Sequence, residues 1–424
     1  MKKFIIEKSS PLKGEIYVDG AKNAVLPIIA STVLTEDKCV IENAPFLKDV
    51  EIMLEILEIL GAKTSFLEKE KKIIIDCCNI SSVPLPYELV KKLRASFLFA
   101  GPLLSRFGKV NIQMPGGCPI GIRPVDLHLK GFSLLGADIK QEHGNIEITA
   151  QKVKGANIYL DFPSVGATEN IIMAAALSEG ETNISNCSVE PEIVDLVQFL
   201  NKMGADISGA GTDSIKIVGV PRISGAVHSI IPDRIEAGTF MIGAVITKGD
   251  IIVKNIICDH LRPVIAKLKD MNVDIEESED SIRVHAENEL VNTDIKTLPF
   301  PGFPTDMQAP FMSLMAVTKG TGIINETIFE NRFMHVGELN RMGADIKVES
   351  KSAVIKGVPK LTGTQVKATD LRAGAALILS ALVADGETEI SDIYHIERGY
   401  CNIEKKIKKL GGKIKKVEEE TNKN

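Results

Sequence analysis

Residues 114–127 read MPGGCPIGIRPVDL and place one cysteine, Cys118, between a glycine pair and a proline. Glycine and proline at this density indicate an exposed, shaped loop rather than a packed element. Arg123 follows the cysteine by five positions. Because nearby positive charge lowers the pKa of a thiol and makes it reactive, this spacing favours a nucleophilic or acidic cysteine. The alternative is a turn that contains a small side chain without a chemical role.

Asp306 is the second candidate, in the segment FPTDMQA at 303–309. Prolines fix the backbone that leads to it, and the apolar residues that follow predict a helix. An aspartate at this place is either an N-cap, which satisfies free backbone amides, or a general base held at the helix start. The residue types alone favour the N-cap.

The composition excludes several classes of function. The chain has 424 residues, with 50 lysines and arginines against 56 aspartates and glutamates, and its net charge of −6 predicts no broad basic face for nucleic acid. No apolar run approaches the roughly 20 residues of a membrane helix, and the N-terminal MKKFIIEKSS predicts a strand. Seven cysteines without a CxxC pair, beside scattered histidines, predict no disulfide framework and no metal site, and favour a reducing cytoplasm.

The elements that must position these residues recur in six repeated units. In each unit an amphipathic helix ends at a cap and is followed by a strand, as in FSLLGADIK and LNRMGADIK. The caps fall at positions 61, 136, 204, 272, 343 and 411, with steps of 75, 68, 68, 71 and 68 residues. Glycine in the left-handed conformation commonly ends a helix, and asparagine, which stands at 272, can replace it.

A second helix in each unit is rich in small residues, as in NAVLPIIASTVL and RAGAALILSALVADG. These helices are apolar nearly all round, which predicts that they are buried. Candidate polar and loop residues lie at or just before their starts: Lys22, Asn23, Arg94, Ser164, Val165, Gly166, Asp306 and Arg372. Helix N-termini attract anions, so we expect a phosphate and carboxylate site where several of them converge.

Three units precede residue 230 and three follow it. The simplest assembly is an α/β protein of two pseudo-threefold domains, with the small-residue helices inside and the sheets around them.

Ten segments, which together span nearly the whole chain, resemble one family in the same order. They are GAKNAVLPIIAS at 20–31, RASFLFAGPLL at 94–104, PGGCPIGIRPVDLH at 115–128, PSVGATENI at 163–171, PEIVDL at 191–196, PDRIEAGTF at 232–240, PGFPTDMQAP at 301–310, ENRFMHV at 330–336, DLRAGAA at 370–376 and HIERGY at 395–400. The chain is therefore similar to the UDP-N-acetylglucosamine enolpyruvyl transferases.

This resemblance implies an inside-out α/β barrel in two domains. The first would comprise residues 22–230 and carry the Cys118 loop. The second would comprise residues 1–21 and 231–424 and carry Asp306 and Arg398. We expect a monomer in the cytoplasm without a cofactor, a nucleic-acid partner or a membrane segment.

The resemblance also implies a reaction. The enolpyruvyl group of phosphoenolpyruvate would pass to the 3′-hydroxyl of UDP-N-acetylglucosamine with release of phosphate, by addition and elimination, as the first committed step of peptidoglycan synthesis. Such a reaction needs a base, an acid and cations for two anionic substrates. Asp306 is the implied base, and Cys118 is the implied acid and site of a thiol adduct with phosphoenolpyruvate.

The family pattern assigns binding residues as well. Those implied for phosphoenolpyruvate are Lys22, Asn23, Arg123, Arg332, Arg372 and Arg398. Those implied for the UDP-sugar are Asn23, Arg94, Arg123, Pro124, Val125, Asp126, Leu127, Ser164, Val165, Gly166, Asp306 and Ile328. Arginine suits phosphate and carboxylate because it pairs with them in a bidentate way.

Two other functions compete with this interpretation. The sister enzymes, the 5-enolpyruvylshikimate-3-phosphate synthases, have the same fold and donor, but the PGGC loop and the UDP-sugar motifs argue against them. A ring-like clamp or scaffold could also be built from repeats. It would need a basic inner surface, which the negative net charge disfavours.

Overall fold

The computed structural model describes residues 2–114 and 125–418, which divide into two units. The first unit contains the described residues from Gly20 to Ile231. The second unit contains those up to Asp19 and those from Pro232 onward. Helices and strands alternate through both units, so the predicted α/β class is confirmed.

The described residues form seven α-helices in each unit. In the first unit they are α1 (Lys22–Ser31), α2 (Lys48–Leu60), α3 (Tyr87–Val90), α4 (Ala100–Phe107), α5 (Asp126–Leu134), α6 (Val165–Ala175) and α7 (Pro191–Met203). In the second unit they are α8 (Arg234–Ile246), α9 (Arg262–Asp270), α10 (Gln308–Val317), α11 (Val336–Arg341), α12 (Leu371–Ala381), α13 (Tyr394–Glu397) and α14 (Ile403–Lys409). Short 3-10 helices include Arg94–Phe99 before α4 and Thr305–Met307 before α10.

Strands fill the spaces between these helices. Two belong to the second unit although they open the chain, β1 (Lys2–Glu7) and β2 (Lys13–Tyr17). The first unit holds β3 (Lys38–Glu42), β4 (Lys63–Leu67), β5 (Lys72–Asp76), β6 (Lys109–Gln113), β7 (Asp138–Glu142), β8 (Asn145–Thr149), β9 (Asn157–Tyr159), β10 (Glu181–Ser185), β11 (Asp206–Ser208), β12 (Ser214–Val218) and β13 (Val227–Ser229). The second unit continues with β14 (Asp250–Lys254), β15 (Asp274–Glu277), β16 (Ser281–His285), β17 (Ile295–Lys296), β18 (Thr321–Asn325), β19 (Asp345–Glu349), β20 (Ser352–Lys356), β21 (Gln365–Lys367), β22 (Glu387–Ser391) and β23 (Ile414–Glu418).

Six small sheets form within the described residues, three in each unit. Five have four strands, in the orders β13-β3-β5-β4, β11-β12-β10-β9, β21-β22-β1-β23, β15-β16-β14-β2 and β17-β18-β20-β19, and the sixth is β6-β8-β7. Each four-stranded sheet contains one parallel pair and two antiparallel pairs of strands; in β10, for example, Ile184 pairs with Ile158 in parallel and with Ile215 in antiparallel. Burial alternates along most strands, so each sheet packs one face on helices.

The six predicted cap positions all adopt the left-handed conformation. Their φ angles are 105° at Gly61, 91° at Gly136, 104° at Gly204, 68° at Asn272, 94° at Gly343 and 90° at Gly411. Residues with a Cβ are strained there, whereas glycine is not and asparagine tolerates it. A strand begins two or three residues after each position. The predicted repeat is therefore confirmed at its six turns.

The small-residue helices form the core of their units. In α8 every residue except Arg234 is buried, and in α12 every residue except Leu371 is buried. Helix α10 packs against both of them, and in the first unit α6 packs against α4 and α5. Alanine and glycine allow these close approaches, and each buried leucine or isoleucine stabilises the fold by about 1.5–3 kcal/mol. The predicted burial is confirmed, whereas closure into a barrel stays a prediction.

Within residues 2–114 and 125–418, the chain passes from one unit to the other next to the starts of α1 and α8. Strand β2 of the second unit leads into α1 of the first, and β13 of the first leads into α8 of the second. Each of these strands then pairs in parallel within its own unit, β2 with β14 and β13 with β3. The N-terminal segment is thereby built into the second unit.

Candidate active site

In the second unit one carboxylate lies between two arginines. Oδ1 of Asp306 accepts a hydrogen bond from Nη2 of Arg332 at 2.7 Å, and Oδ2 accepts one from Nη2 of Arg372 at 2.8 Å. The N-cap positions of the 3-10 helix and of α10 are Pro304 and Met307. Asp306 is therefore not the N-cap that its residue type favours, and its carboxylate is committed to the guanidinium groups.

Burial and charge decide the protonation states of this group. The side chain of Asp306 is 25% exposed, but those of Arg332 and Arg372 are only 5% and 3% exposed. Burial alone would raise the pKa of the Asp306 carboxyl, but the charges of Arg372 and Arg332 and their hydrogen bonds lower it well below its usual value. The Asp306 carboxylate thus lies between two cations, Asp233 adds negative charge near Arg372, and guanidinium groups are suited to bind an anionic ligand.

The two guanidinium groups have donors to spare. Nε and Nη1 of Arg372 and Nη1 of Arg332 are buried and have no hydrogen-bond partner among the described residues. The ring of Phe329 lies 5.2 Å from the Arg332 guanidinium, and the ring of Tyr400 lies 5.4 Å from that of Arg372. Because buried donors are nearly always satisfied, these nitrogens are the ones that a phosphate or carboxylate could engage.

The start of α12 holds Arg372 in place. Asp370 caps this helix, and its Oδ1 accepts hydrogen bonds from the amides of Arg372 and Ala373 at 2.9 and 3.0 Å. Nearby, burial lowers the pKa of the His335 imidazole to about 4, with the charge of Arg332 acting in the same direction and that of Asp370 against it. The imidazole is therefore neutral at pH 7 and adds no charge beside Arg332.

A buried glutamate connects Asp306 to Ile328, the residue predicted to contact the sugar. Glu326 follows β18 and is 1% exposed. Its Oε2 accepts a hydrogen bond from the hydroxyl of Thr305 at 2.9 Å. Its Oε1 accepts one from the amide of Ile328 at 2.9 Å and one from the hydroxyl of Thr297 at 2.9 Å. Ile328 itself is half-buried.

Arg398 ends the short helix α13 and is half-buried. Burial, followed by the charge of Arg398, lowers the pKa of His395. Arg398 belongs to the second unit with Asp306, whereas the ion pairs of the Asp306 carboxylate are with Arg332 and Arg372.

In the first unit, Lys22 begins α1 and is largely buried. Its Nζ lies 2.7 Å from Oδ2 of Asp49, a buried carboxylate at the start of α2. The neighbouring side chain, Asn23, is exposed. Helix α1 packs against the 3-10 helix Arg94–Phe99, so the two elements that carry Lys22 and Arg94 are neighbours in this unit.

Asn170 of α6 joins three of the predicted UDP-sugar segments. Its amide nitrogen donates to the carbonyl of Phe97 at 2.8 Å and lies 3.0 Å from Nδ1 of His128, and its oxygen accepts from the amide of Gly101 at 2.7 Å. Burial, followed by the charge of Arg94, lowers the pKa of His128 to about 3. The imidazole is neutral, so Nδ1 can accept the Asn170 hydrogen bond.

These contacts place Arg94, the start of α5 and the start of α6 together. Val125 is buried, Asp126 is exposed and Leu127 is half-buried directly before His128. Ser164 is the N-cap of α6, and its hydroxyl accepts from the amide of Ala167 at 3.4 Å. Val165 and Gly166 are half-buried in the first turn of α6. Cys118, Arg123 and Pro124 lie outside the described residues, so their placement stays a prediction.

Metal binding and membrane insertion are the other functions on which the described ranges bear. No group of three or more histidine, cysteine, aspartate or glutamate side chains there is arranged to hold a metal ion. In residues 2–114 and 125–418, no helix has both the length and the apolar character that crossing a bilayer requires.

Comparison with known proteins identifies the family. The family described as "EPSP synthase (3-phosphoshikimate 1-carboxyvinyltransferase)" matches residues 6–407. The chain belongs to this family of enolpyruvyl transferases. The resemblance read from the sequence motifs is thereby confirmed.

Within the enolpyruvyl transferases the chain has highly similar relatives. It is 58% identical to UDP-N-acetylglucosamine 1-carboxyvinyltransferase 1 of Caldanaerobacter subterraneus subsp. tengcongensis, over 97% of this chain and 99% of that protein. It is 56% identical to UDP-N-acetylglucosamine 1-carboxyvinyltransferase 2 of Carboxydothermus hydrogenoformans, over 98% and 100%. The crystal structure of the enolpyruvyl transferase NikO from Streptomyces tendae superposes with a TM-score of 0.90 at 24% identity, over 98% and 99%, and shows the same fold.

The supporting residues around these sites are not evident from the sequence. Asp49, Glu326 and Asn170 do not stand out there, because each is a common residue type in or beside a regular element. One signal was present for Glu326: a charged residue directly after an alternating strand, two positions before Ile328. For Asn170, a polar residue within an otherwise apolar helix gave the same kind of signal.

Proposed function

We propose that this enolpyruvyl transferase moves the enolpyruvyl group of phosphoenolpyruvate to the 3′-hydroxyl of UDP-N-acetylglucosamine and releases phosphate, the first committed step of peptidoglycan synthesis. The observation that carries the proposal is the 58% identity, over 97% of the chain, to a UDP-N-acetylglucosamine 1-carboxyvinyltransferase. We place the enzyme in the cytoplasm as a monomer, with functional domains at 22–230 and at 1–21 plus 231–424.

The proposed chemistry begins at Asp306. The carboxylate accepts the proton of the 3′-hydroxyl as that oxygen adds to C2 of phosphoenolpyruvate, and the thiol of Cys118 protonates C3. The resulting tetrahedral ketal loses phosphate while a proton leaves C3, which restores the double bond. Cys118 also forms the thiol adduct that the family pattern implies.

Substrate binding would activate the base. Without substrate, Asp306 is a weak base. Burial would raise the pKa of its carboxyl, but Arg372 and Arg332 outweigh burial and hold that pKa well below its usual value. In our proposal, the anionic groups of phosphoenolpyruvate engage the spare donors of both guanidinium groups and weaken their hold on the carboxylate. The pKa of Asp306 then rises just when the hydroxyl is in place.

The remaining assignments follow the predicted binding residues. Lys22, Asn23, Arg123 and Arg398 would bind phosphoenolpyruvate together with Arg332 and Arg372. Support comes from the burial of Lys22 beside Asp49 and from the spare donors of Arg332 and Arg372. The UDP-sugar would bind to the segments that Asn170 links by hydrogen bonds, which contain Arg94, Val125, Asp126, Leu127, Ser164, Val165 and Gly166. It would also contact Asn23, Arg123, Pro124, Asp306 and Ile328.

A test follows directly from the two candidate acceptors. Phosphate release from phosphoenolpyruvate is measured with UDP-N-acetylglucosamine and with shikimate 3-phosphate as acceptors. The second acceptor is included because the description of the matching family names a transfer to 3-phosphoshikimate. We expect turnover only with the UDP-sugar. Cys118→Ala and Asp306→Ala should lose it, while Cys78→Ala, which changes an exposed cysteine, should not. A parent enzyme inactive with UDP-N-acetylglucosamine refutes the function, and active Cys118→Ala and Asp306→Ala variants refute the two assignments.

A further inference from the structure

Glu326 lies in a closed circuit of contacts around the proposed base. Its Oε2 accepts from the hydroxyl of Thr305, the residue directly before Asp306. Asp306 pairs with Arg332, and the Arg332 guanidinium lies over the ring of Phe329. The amide of Phe329 returns to Oε1 of Glu326 at 3.2 Å. Each member therefore restrains the next.

The circuit is anchored to the sheet below it. The hydroxyl of Thr297 donates to Oε1 of Glu326 at 2.9 Å and accepts from the amide of Thr327 at 2.9 Å. Thr297 is fully buried, and its amide donates to the carbonyl of Asn325 at the end of β18. Because buried, fully satisfied networks have one geometry, the carboxylate of Glu326 sits on a rigid base.

We propose that Glu326 is a positioning residue. It fixes the Asp306 carboxylate relative to Ile328, the residue proposed to contact the acceptor sugar. The inference rests on the proposed function, because it gives Asp306 and Ile328 their roles. Through Oε2, Glu326 holds the 3-10 helix Thr305–Met307 and thereby affects the chemical step. Through Oε1, it holds the turn at 327–329 and thereby affects the binding of the acceptor sugar. Glu326 itself does not touch substrate.

The two halves of this role can be separated by substitution. Thr305→Val removes only the hydroxyl that reaches Oε2 and leaves the bonds at Oε1 intact. Glu326→Ala removes both and leaves the amides of Ile328 and Phe329 without their acceptor. Glu326→Gln can keep every partner, because its oxygen can replace Oε1 and its NH₂ can donate to the Thr305 hydroxyl. Thr321→Val, an exposed threonine at the start of β18, is the matched control.

Steady-state rates on folded protein, with folding checked by circular dichroism, test the inference. We expect Thr305→Val to lower kcat by about 10- to 100-fold while the KM for UDP-N-acetylglucosamine stays within about twofold of the parent. Glu326→Ala should lower kcat and also raise that KM by about tenfold. Glu326→Gln should restore both to within about threefold, and Thr321→Val should match the parent.

Other outcomes overturn the inference. A kcat for Thr305→Val equal to that of Thr321→Val removes the link between Glu326 and Asp306, because Thr305→Val deletes only the hydroxyl that reaches Oε2. A Glu326→Gln variant as impaired as Glu326→Ala assigns the effect to charge rather than to positioning. A parent enzyme without turnover would instead refute the proposed function, so the two failures are distinguishable.

Discussion

Replacing Asp306 by asparagine removes the anion between two nearly buried guanidinium groups. The side chains of Arg332 and Arg372 are 5% and 3% exposed, and both donate to this one carboxylate. The asparagine oxygen can accept from one of them, but its NH₂ group then faces the donors of the other. Breaking a buried ion pair by removing one partner typically costs about 3–5 kcal/mol. We expect Asp306→Asn to lower the free energy of unfolding of the second unit by that amount.

An added anion should reverse part of this loss. Inorganic phosphate would bind the folded variant between the two guanidinium groups, and a ligand at 100 times its Kd stabilises by about 2.7 kcal/mol. Urea unfolding followed by circular dichroism is the assay, since the chain contains no tryptophan. The parent should gain less from phosphate, because Asp306 already occupies both arginines.

The pH dependence has a defined sign. The pKa of Asp306 is lowered in the folded state, so its contribution is present above its unfolded pKa of about 3.9 and is lost as pH falls below that value. The difference between parent and Asp306→Asn should thus stay constant from about pH 5 to 8 and shrink only in stronger acid.

A surface ion pair supplies the control. Asp385 pairs with Lys8 at 2.6 Å, but both side chains are substantially exposed. Asp385→Asn should change the free energy of unfolding by at most about 1 kcal/mol. If Asp306→Asn is as stable as Asp385→Asn in phosphate-free buffer, the buried three-residue ion cluster does not hold the second unit together. If it also keeps the turnover of the parent, Asp306 is not the base.

Three further predictions concern groups around the sites. Burial lowers the pKa of His335 to about 4 and that of His128 to about 3. Below pH 6.5 the unfolded chain therefore binds more protons than the folded chain. The free energy of unfolding should fall between pH 6.5 and pH 4 by up to about 1.4 kcal/mol per pH unit for each histidine. His335→Asn should flatten this slope in urea titrations, and an unchanged slope would contradict the buried neutral imidazole. Asn170→Ala should lower stability by about 1–3 kcal/mol and raise the KM for UDP-N-acetylglucosamine more than that for phosphoenolpyruvate in initial-rate assays; equal effects would contradict its link to the sugar segments. Tyr400→Phe should raise the KM for phosphoenolpyruvate less than Tyr400→Leu does, since the ring remains beside Arg372 although the hydroxyl that interacts with Thr239 and Arg372 is lost; identical KM values would show that the ring has no role.

Much of the fold was predictable because it depends on local chemistry. A helix cap needs a residue that tolerates positive φ, and five glycines and Asn272 mark the six turns in the sequence as they do in the structure. A long apolar stretch rich in small residues favours a buried helix, as α8 and α12 are. The same periodicity placed Lys22, Arg94, Ser164 and Asp306 at helix starts, which is where the structure has them.

Pairings between residues that are distant in the sequence were not predictable in this way. Asp306 meets Arg332 and Arg372, which are 26 and 66 residues away, and no local pattern specifies which arginine turns inward. The same is true of Glu326 and Asn170, whose partners belong to other elements. The amino-acid sequence determined the repeated elements, the helix starts and the family, since these follow from backbone preferences and from motifs. Only the tertiary structure decided which charges share one buried site, because those contacts exist only after separate helices have packed.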